Sequence, residues 1–123
     1  MGATTVSITV TDHGGMTAST SFSITVISTP SIGAISETTT FNEDAGAQAL
    51  HFTVVDADGD SLTITYDSSN TNLFPSNAIS FTGTNVNSST NVISQASSDT
   101  WITITVTPTT NTSGSGEITV TIT

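Results

Sequence analysis

The sequence predicts an all-β protein folded as an antiparallel β-sandwich, and three observations support this prediction. Apolar and polar residues alternate strictly in six segments, which is the period of a half-buried strand. Clusters of Asp, Asn, Gly and Ser separate these segments, as turns between strands do. The chain also contains 28 threonines, whose branched side chains suit a pleated sheet. No segment has a helical apolar stripe backed by good helix formers.

The six segments share one pattern, an apolar residue at every second position with Thr, Ser or another residue between. In chain order the apolar positions are Val6, Ile8 and Val10; Phe22, Ile24 and Val26; Phe52 and Val54; Leu62, Ile64 and Tyr66; Ile102, Ile104 and Val106; and Ile118, Val120 and Ile122. Turns are expected at 12–15, 57–60 and 111–114. Residues 85–99 hold few apolar side chains, so we expect a long loop there with at most a short strand at 91–94.

Charge and composition exclude several classes of function. The 123 residues suit one domain, and they include no Cys, Lys or Arg against ten carboxylates, which gives a formal charge of −10. Because phosphates need cationic partners, we expect no binding to nucleic acid or to anionic lipid. A lysine nucleophile, a Schiff base and a Lys–Asn crosslink are excluded. No apolar run approaches the about 18 residues of a membrane span, so we expect no membrane insertion.

We expect no enzymatic activity, because a chain so rich in Thr and Ser would supply an apparent Ser/His/Asp set by chance, and no other arrangement of residues indicates catalysis. His13 and His51 lack the spacing of metal ligands, and we interpret them as an exposed turn residue and a surface or edge-strand residue. Trp101 is out of phase with the apolar residues that follow it, so it should point outward. It would either cover a strand edge or offer a platform for a sugar or a protein.

The two ends of the chain repeat each other. SGSGEITVTIT at 113–123 matches MGATTVSITVT at 1–11 at an offset of 112 residues. We therefore interpret the chain as one repeat of about 112 residues, cut out of phase from a longer exported protein. This interpretation assigns 1–27 to the last two strands of a preceding repeat, 28–35 to a linker, and 36–123 to the first six strands of the next repeat.

Four short motifs, taken in this rotated order, resemble a known family. They are N-E-D-A at 42–45, D-A-D-G-D-S at 56–61, P-x-x-N-x-S-G at 108–114 and V-T-D-x-x-G at 10–15. Nearly the whole chain is similar to the cadherin-like and Ig-like tandem repeats of giant bacterial surface adhesins, including the repeat-in-toxin type. The resemblance implies a Greek-key sandwich of about seven strands. Its strands would be A at 36–43, B at 49–56, C at 61–67, D at 79–82, E at 101–107, F at 118–122 and G at 19–27, with 5–11 as strand F of the preceding repeat.

The resemblance also implies a function. Such repeats are extracellular structural extenders that hold a binding domain away from the cell, and calcium between the repeats makes them stiff. Any glycan or host-surface target would lie elsewhere in the full protein. A module that itself binds carbohydrate or protein is an alternative, and it would need an exposed aromatic platform.

The strongest candidate site is the run of Asp56, Asp58 and Asp60 around Gly59. Alternating carboxylates suit calcium, a hard cation that takes about six to eight oxygen ligands. In the rotated order this loop faces the preceding repeat, at the same pole as Asp12. The arrangement resembles a cadherin junction, which implies that Asp12, Asp56 and Asp58 share one ion with Asp60 nearby. The alternative is a solvated polar turn.

Glu43 and Asp44 lie at the end of the expected strand A, at the opposite pole. In the family that the chain resembles, an acidic residue there serves the calcium ions of the next junction. A capped turn is the alternative interpretation. The sequence lacks the D-x-N-D-N linker and the D-R-E motif of cadherins, so we do not expect a full three-ion junction.

A repeat cut in mid-domain leaves the hairpin at 1–27 without a sheet and the remainder without strand G. The hairpin could fold back as a circular permutant, for which 28–35 would have to span roughly one domain length, a tight fit because eight extended residues reach at most about 27–29 Å. It could instead complete a neighbouring copy head-to-tail, as in donor-strand addition, a contact that generates open fibres. We predict the second arrangement, with copies of the same repeat as partners. A self-assembling filament subunit joined in this way is an alternative function.

Overall fold

A computed structural model of the chain describes residues 2–35, 39–96 and 99–123. The described residues form ten strands and one 3₁₀ turn at Ser76–Ala78, which confirms the all-β prediction. The strands are β1 Gly2–Thr11, β2 Thr17–Val26, β3 Ser31–Ile32, β4 Gln48–Val55, β5 Ser61–Ser68, β6 Ile79–Gly83, β7 Val86–Asn87, β8 Val92–Ser94, β9 Thr100–Val106 and β10 Ile118–Ile122. Within these ranges no helix is long and apolar enough to cross a bilayer.

Eight of the strands form two four-stranded antiparallel sheets, as a β-sandwich requires. One sheet has the order β3-β4-β9-β6, and the other has the order β10-β5-β8-β7. The alternating apolar positions of β4, β5 and β9 point between the sheets, so the sequence pattern identifies the part of the core that these strands supply. The buried apolar residues are Phe52, Val54, Leu62, Ile64, Leu73, Phe74, Ile79, Phe81, Ile93, Ala96, Ile102, Ile104 and Val106.

The remaining two strands form a separate ribbon. β1 and β2 pair over ten residues, from Gly2 opposite Val26 to Thr11 opposite Thr17, and within the described ranges they pair with no other strand. Even-numbered residues share one face of this ribbon and are mainly apolar, whereas the odd-numbered residues on the other face are Thr, Ser and Ala. Phe22, which the alternation places in a core, is 50% exposed because no second layer covers the apolar face.

The first strand of the sandwich lies earlier in the chain than the sequence indicates. β3 pairs with the end of β4, within the segment interpreted as a linker. Of the expected strand A at 36–43, residues 36–38 lie outside the described residues and 39–43 are not in a strand. Gly33 explains the early start: its N–H donates to the Thr53 carbonyl at 2.8 Å, and a Cβ there would collide with the Thr53 hydroxyl.

In the Asn- and Ser-rich region at 85–99, the described residues 85–96 and 99 include two short strands in place of the expected long loop. β7 and β8 form a short hairpin that joins the second sheet through β5, and β8 coincides with the short strand considered at 91–94. Ile93 is fully buried and supplies the apolar anchor that this polar segment needs. Asn85 and Asn91, which directly precede β7 and β8, adopt left-handed backbone conformations, which Asn tolerates better than most residues.

Candidate functional site

The acidic loop at 56–60 joins β4 to β5 at one end of the sandwich. Asp56 is only 3% exposed, and its N–H donates to the Ala96 carbonyl at 2.6 Å. Its Oδ1 accepts the N–H of Asp58 at 2.9 Å, and its carbonyl accepts the N–H of Gly59 at 3.1 Å. Gly59 takes a left-handed φ of 70°, so the Asp-Gly sequence forms the tight turn that its composition predicts.

Asp58 connects this loop to the segment that follows the hairpin. Its Oδ2 accepts the backbone N–H of Ser28, a contact between residues thirty positions apart. Its Oδ1 is buried and has no hydrogen-bond partner among the described residues. A buried carboxylate oxygen without a partner is unfavourable, because desolvation is not compensated. A cation would satisfy this oxygen, so the donor chemistry of Asp56 and Asp58 fits a hard metal ion.

The structure does not bring Asp12 to this pair within one chain. Asp12 is exposed in the β1–β2 turn, where its Oδ1 accepts the Met16 N–H at 2.8 Å and its own N–H donates to the Met16 carbonyl. Asp60 is exposed. Among the residues that the structure describes, no three His, Asp or Glu side chains gather closely enough to hold a metal ion. The shared calcium site therefore stays a prediction that needs a second repeat.

Glu43 and Asp44 lie before the start of β4, at the end opposite to the acidic loop. Asp44 has a left-handed φ of 59°, and its Oδ1 accepts the backbone N–H of Asn111 at 2.8 Å. The contact ties the turn before β4 to the loop that precedes β10. Glu43 lines a groove of about 770 Å³ at this end, whose apolar lining includes Leu50 and Phe74.

β10 has an open edge beside this groove. Among the described strands it pairs with β5 alone, and its apolar residues Ile118, Val120 and Ile122 are only partly buried. Thr123 and Thr63 exchange both backbone hydrogen bonds, at 2.7 and 3.1 Å. Because such pairs alternate along an antiparallel ladder, the even-numbered residues of β10 direct their N–H and C=O groups to the open edge.

The hairpin shows how an equivalent strand is completed. The N–H of Asp12 bonds to the carbonyl of Met16, so the even-numbered pairs of β1 and β2 are the hydrogen-bonded ones. Val6, Ile8 and Val10 therefore bond to β2, and at the offset of 112 they correspond to Ile118, Val120 and Ile122. The backbone groups that β1 uses to hold β2 are thus the groups that β10 leaves free. The alternation of the sequence predicts which side chains share a face of a strand. It does not predict which backbone groups face each edge, and for β1 and β10 these follow from the pairing registers in the structure.

Trp101 points outward from β9, as its phase predicts, and is 64% exposed. It lies opposite Thr53 on the outer face of the first sheet. His51, two residues before Thr53 on β4, has its Nδ1 at 3.0 Å from the Thr103 hydroxyl. One exposed indole beside threonines is a small platform, so it favours no particular ligand.

Comparison with protein families, curated proteins and solved structures finds no significant match for this chain.

Proposed function

We propose that this chain is a structural extender repeat of a bacterial extracellular adhesin or surface filament, in which repeats follow one another end to end. The observation that carries the proposal is the equivalence of β1 and β10. They match in sequence at an offset of 112 residues. In both strands the even-numbered residues direct their backbone N–H and C=O groups to the edge where the next strand would pair. Recurrence of a strand at a fixed period, with the same backbone edge turned to its neighbour, is what a tandem array of sandwiches contains.

The strand order supports an Ig-like arrangement of each repeat. The order β3-β4-β9-β6 corresponds to A-B-E-D, and β5 beside β10 corresponds to C beside F. In such a sandwich strand G lies on the far side of F, which is the open edge of β10. β2 has the length and the alternating pattern of that missing strand.

The positions of the acidic turns support end-to-end junctions. The loop at 56–60 follows β4 and Asp44 precedes it, so the two lie at opposite ends of an eight-residue strand. Eight residues of strand span about 26 Å. β10 ends beside the start of β5, where Thr123 bonds to Thr63. Since Thr123 corresponds to Thr11, an equivalent of Asp12 in the next repeat unit would follow at the same pole as the acidic loop.

Calcium at these junctions is part of the proposal. Asp56 and Asp58 would hold the ion, with an Asp12 equivalent as a further ligand, and the ion would neutralise carboxylates that no Lys or Arg of the chain can balance. The buried Oδ1 of Asp58, which has no hydrogen-bond partner in the described part of the chain, supports this assignment. When bound, calcium would link the loop to the neighbouring turn and stiffen the junction.

The extender proposal is tested by joining units of residues 1–112 into arrays of two, four and six copies. We expect the maximum dimension from small-angle X-ray scattering to grow by a constant increment of at least about 26 Å per copy, because each sandwich adds its own strand length. Electron microscopy should show rods of the same increment. Arrays whose dimension grows ever more slowly with copy number would be collapsed chains and would contradict the proposal.

The calcium proposal predicts that the two-copy array melts at a higher temperature in calcium than in chelator. Calcium at a hundred times its Kd would stabilise the folded state by about 2.7 kcal/mol for each site. Asp58→Asn should abolish most of this shift by differential scanning calorimetry. Asp67→Asn, an exposed strand residue, makes the same change of charge and should retain it. An equal Tm in calcium and in chelator for the unmodified array would remove calcium from the proposal.

A further inference from the structure

We infer that β2 of one copy leaves β1 and adds to the open edge of β10 in a second copy of this chain. The register is that of the hairpin, with Phe22 opposite Ile118, Thr20 opposite Val120 and Ala18 opposite Ile122. This inference rests on the proposed repeat function, because both use the equivalence of β1 and β10. Beyond that function, the exchange specifies the partner surface, the register of the two strands and the assembly of the isolated chain.

The backbone chemistry of the two edges is interchangeable. β1 bonds to β2 through its even-numbered residues, and β10 leaves the N–H and C=O groups of its own even-numbered residues free on the open edge. β2 can therefore keep the same set of donors and acceptors when it changes partner. β1 and β10 compete for one edge of β2, so the reaction is an exchange of strands and not the addition of an intact hairpin.

Beside β10 the apolar side chains of β2 would meet an apolar groove, whereas in the hairpin they are exposed. In the hairpin Val26 lies opposite Gly2 and Ile24 opposite Thr4; in the transferred register Ile24 and Val26 lie opposite Gly116 and Gly114. These glycines line the groove of about 770 Å³, together with buried Phe74. A Cβ on Gly116 would meet the Phe74 ring at 3.3 Å, so the acceptor backbone lies close over the core there. Phe22, Ile24 and Val26 would cover this apolar groove.

Both strands of the hairpin expose apolar side chains, and those of β2 would move to the new contact. Ile8 and Val10 on β1 and Phe22, Ile24 and Val26 on β2 are all close to half exposed or more. Together they expose on the order of 500 Å², about the size of the largest apolar patch on a typical monomer, which is often functional. An isolated two-stranded hairpin is marginal in water, whereas β10 belongs to a sandwich with a packed core. The released β1 regains conformational freedom, which also favours exchange.

Electrostatics opposes the exchange only weakly. The chain has a formal charge of −10, but residues 2–26 contain a single carboxylate, Asp12, and no base other than His13. The donated strand, Thr17–Val26, carries no ionisable side chain. Repulsion then comes from the acidic bodies of the two copies, and we expect added salt to strengthen the association by screening it.

Engineered cysteines test the register directly, since the chain contains no Cys. A T121C variant and an S19C variant, unfolded together, refolded and mildly oxidised, should give the mixed disulfide in preference to either homodimer. The two exposed positions would face each other in a non-hydrogen-bonded pair, where Cα atoms about 4.5 Å apart suit a disulfide. The control pair T121C and S23C is displaced by four residues, about 13 Å along the strand, and should give little product. Equal yields from the two pairs, or no mixed disulfide from either, would overturn the register.

Matched charge substitutions on the two faces of β2 test the exchange in the whole chain. Sedimentation velocity should show head-to-tail oligomers of the unmodified protein that increase with concentration and with salt. Ser21→Asp, on the polar face, should retain them, whereas Phe22→Asp should give monomers, because its carboxylate would be buried over the groove. A monomeric unmodified protein at all salt concentrations, or equal oligomers of the two variants, would overturn the inference.

The two proposals can fail separately. In the arrays of 1–112 units the β1 of each following unit takes the place of β10 and is already paired with its own β2, so rods should form whether or not free chains exchange strands. Rods without specific crosslinking would overturn only the exchange between chains. Specific crosslinking with collapsed arrays would overturn the extender function and retain the strand exchange.

Discussion

Phe81→Ala should lower the free energy of unfolding by about 3–5 kcal/mol, the range for deleting a buried aromatic ring. Phe81 is fully buried at the centre of β6, and its ring lies 5.4 Å from that of Tyr66, between centroids. Its removal leaves a cavity between the two sheets that the surrounding strands cannot close without breaking their ladders. The measurement is urea denaturation followed by tryptophan fluorescence, with Trp101 as the single reporter.

Phe22→Ala is the matched control for this prediction. The same atoms are deleted, but Phe22 is half exposed on the hairpin and contributes little to the core of its own chain. At a concentration where the protein is monomeric, its unfolding free energy should change by no more than about 0.5 kcal/mol, as for other surface substitutions. Similar losses for the two variants would show that the hairpin packs into its own sandwich, as a circular permutant would.

The contrast between these two phenylalanines also shows how far alternation alone can predict the fold. The alternating pattern locates β4, β5, β9 and β10 to within one or two residues and identifies which face of each is apolar. It cannot say whether a second layer covers that face, so Phe22 resembles Phe52 in sequence although only Phe52 is buried. Leu73 and Phe74 were missed as core residues because they lie in a turn that has no period. Their backbone is fixed by Asn70, whose carbonyl accepts the Phe74 N–H at 2.8 Å.

The two shortest strands could not be predicted from the sequence, for a related reason. β3 and β7 have two residues each, too few to show a period of two, and their conformation comes from pairing with β4 and β8. The same limit applies to the candidate site. Composition identified the loop around Gly59 as acidic and turn-forming, whereas the contact of Asp58 with Ser28 joins segments that are distant in the chain. Which backbone groups of β10 face the open edge could be determined only from the pairing registers of β1 with β2 and of β10 with β5.

Gly83→Ala is expected to be the most damaging of the single-methyl additions to this chain. Gly83 ends β6 opposite Ile102 of β9, where the chain leaves the first sheet for β7 in the second. A Cβ at this position would collide with the Trp101 carbonyl oxygen and would lie 3.2 Å from Val86 Cγ2. The side chain of Val86 can rotate, but the carbonyl belongs to the central ladder. We therefore expect a loss of about 1–3 kcal/mol in the free energy of unfolding, as for other overpacked positions.

Gly46→Ala provides the comparison, because a Cβ there meets nothing within 4 Å. This variant should unfold within about 0.5 kcal/mol of the unmodified protein. Amide hydrogen exchange adds a spatial measurement: in Gly83→Ala the amides of β6 and the neighbouring residues of β9 should lose protection, while those of β5 and β10 should change less. The damage would then be confined to the closed side of the sandwich, opposite the edge that we propose receives β2. Equal stability of the two variants would mean that β9 adjusts to the added methyl group. Uniform loss of protection would mean that the damage is not confined to the junction of β6 and β9. Either result would contradict the prediction.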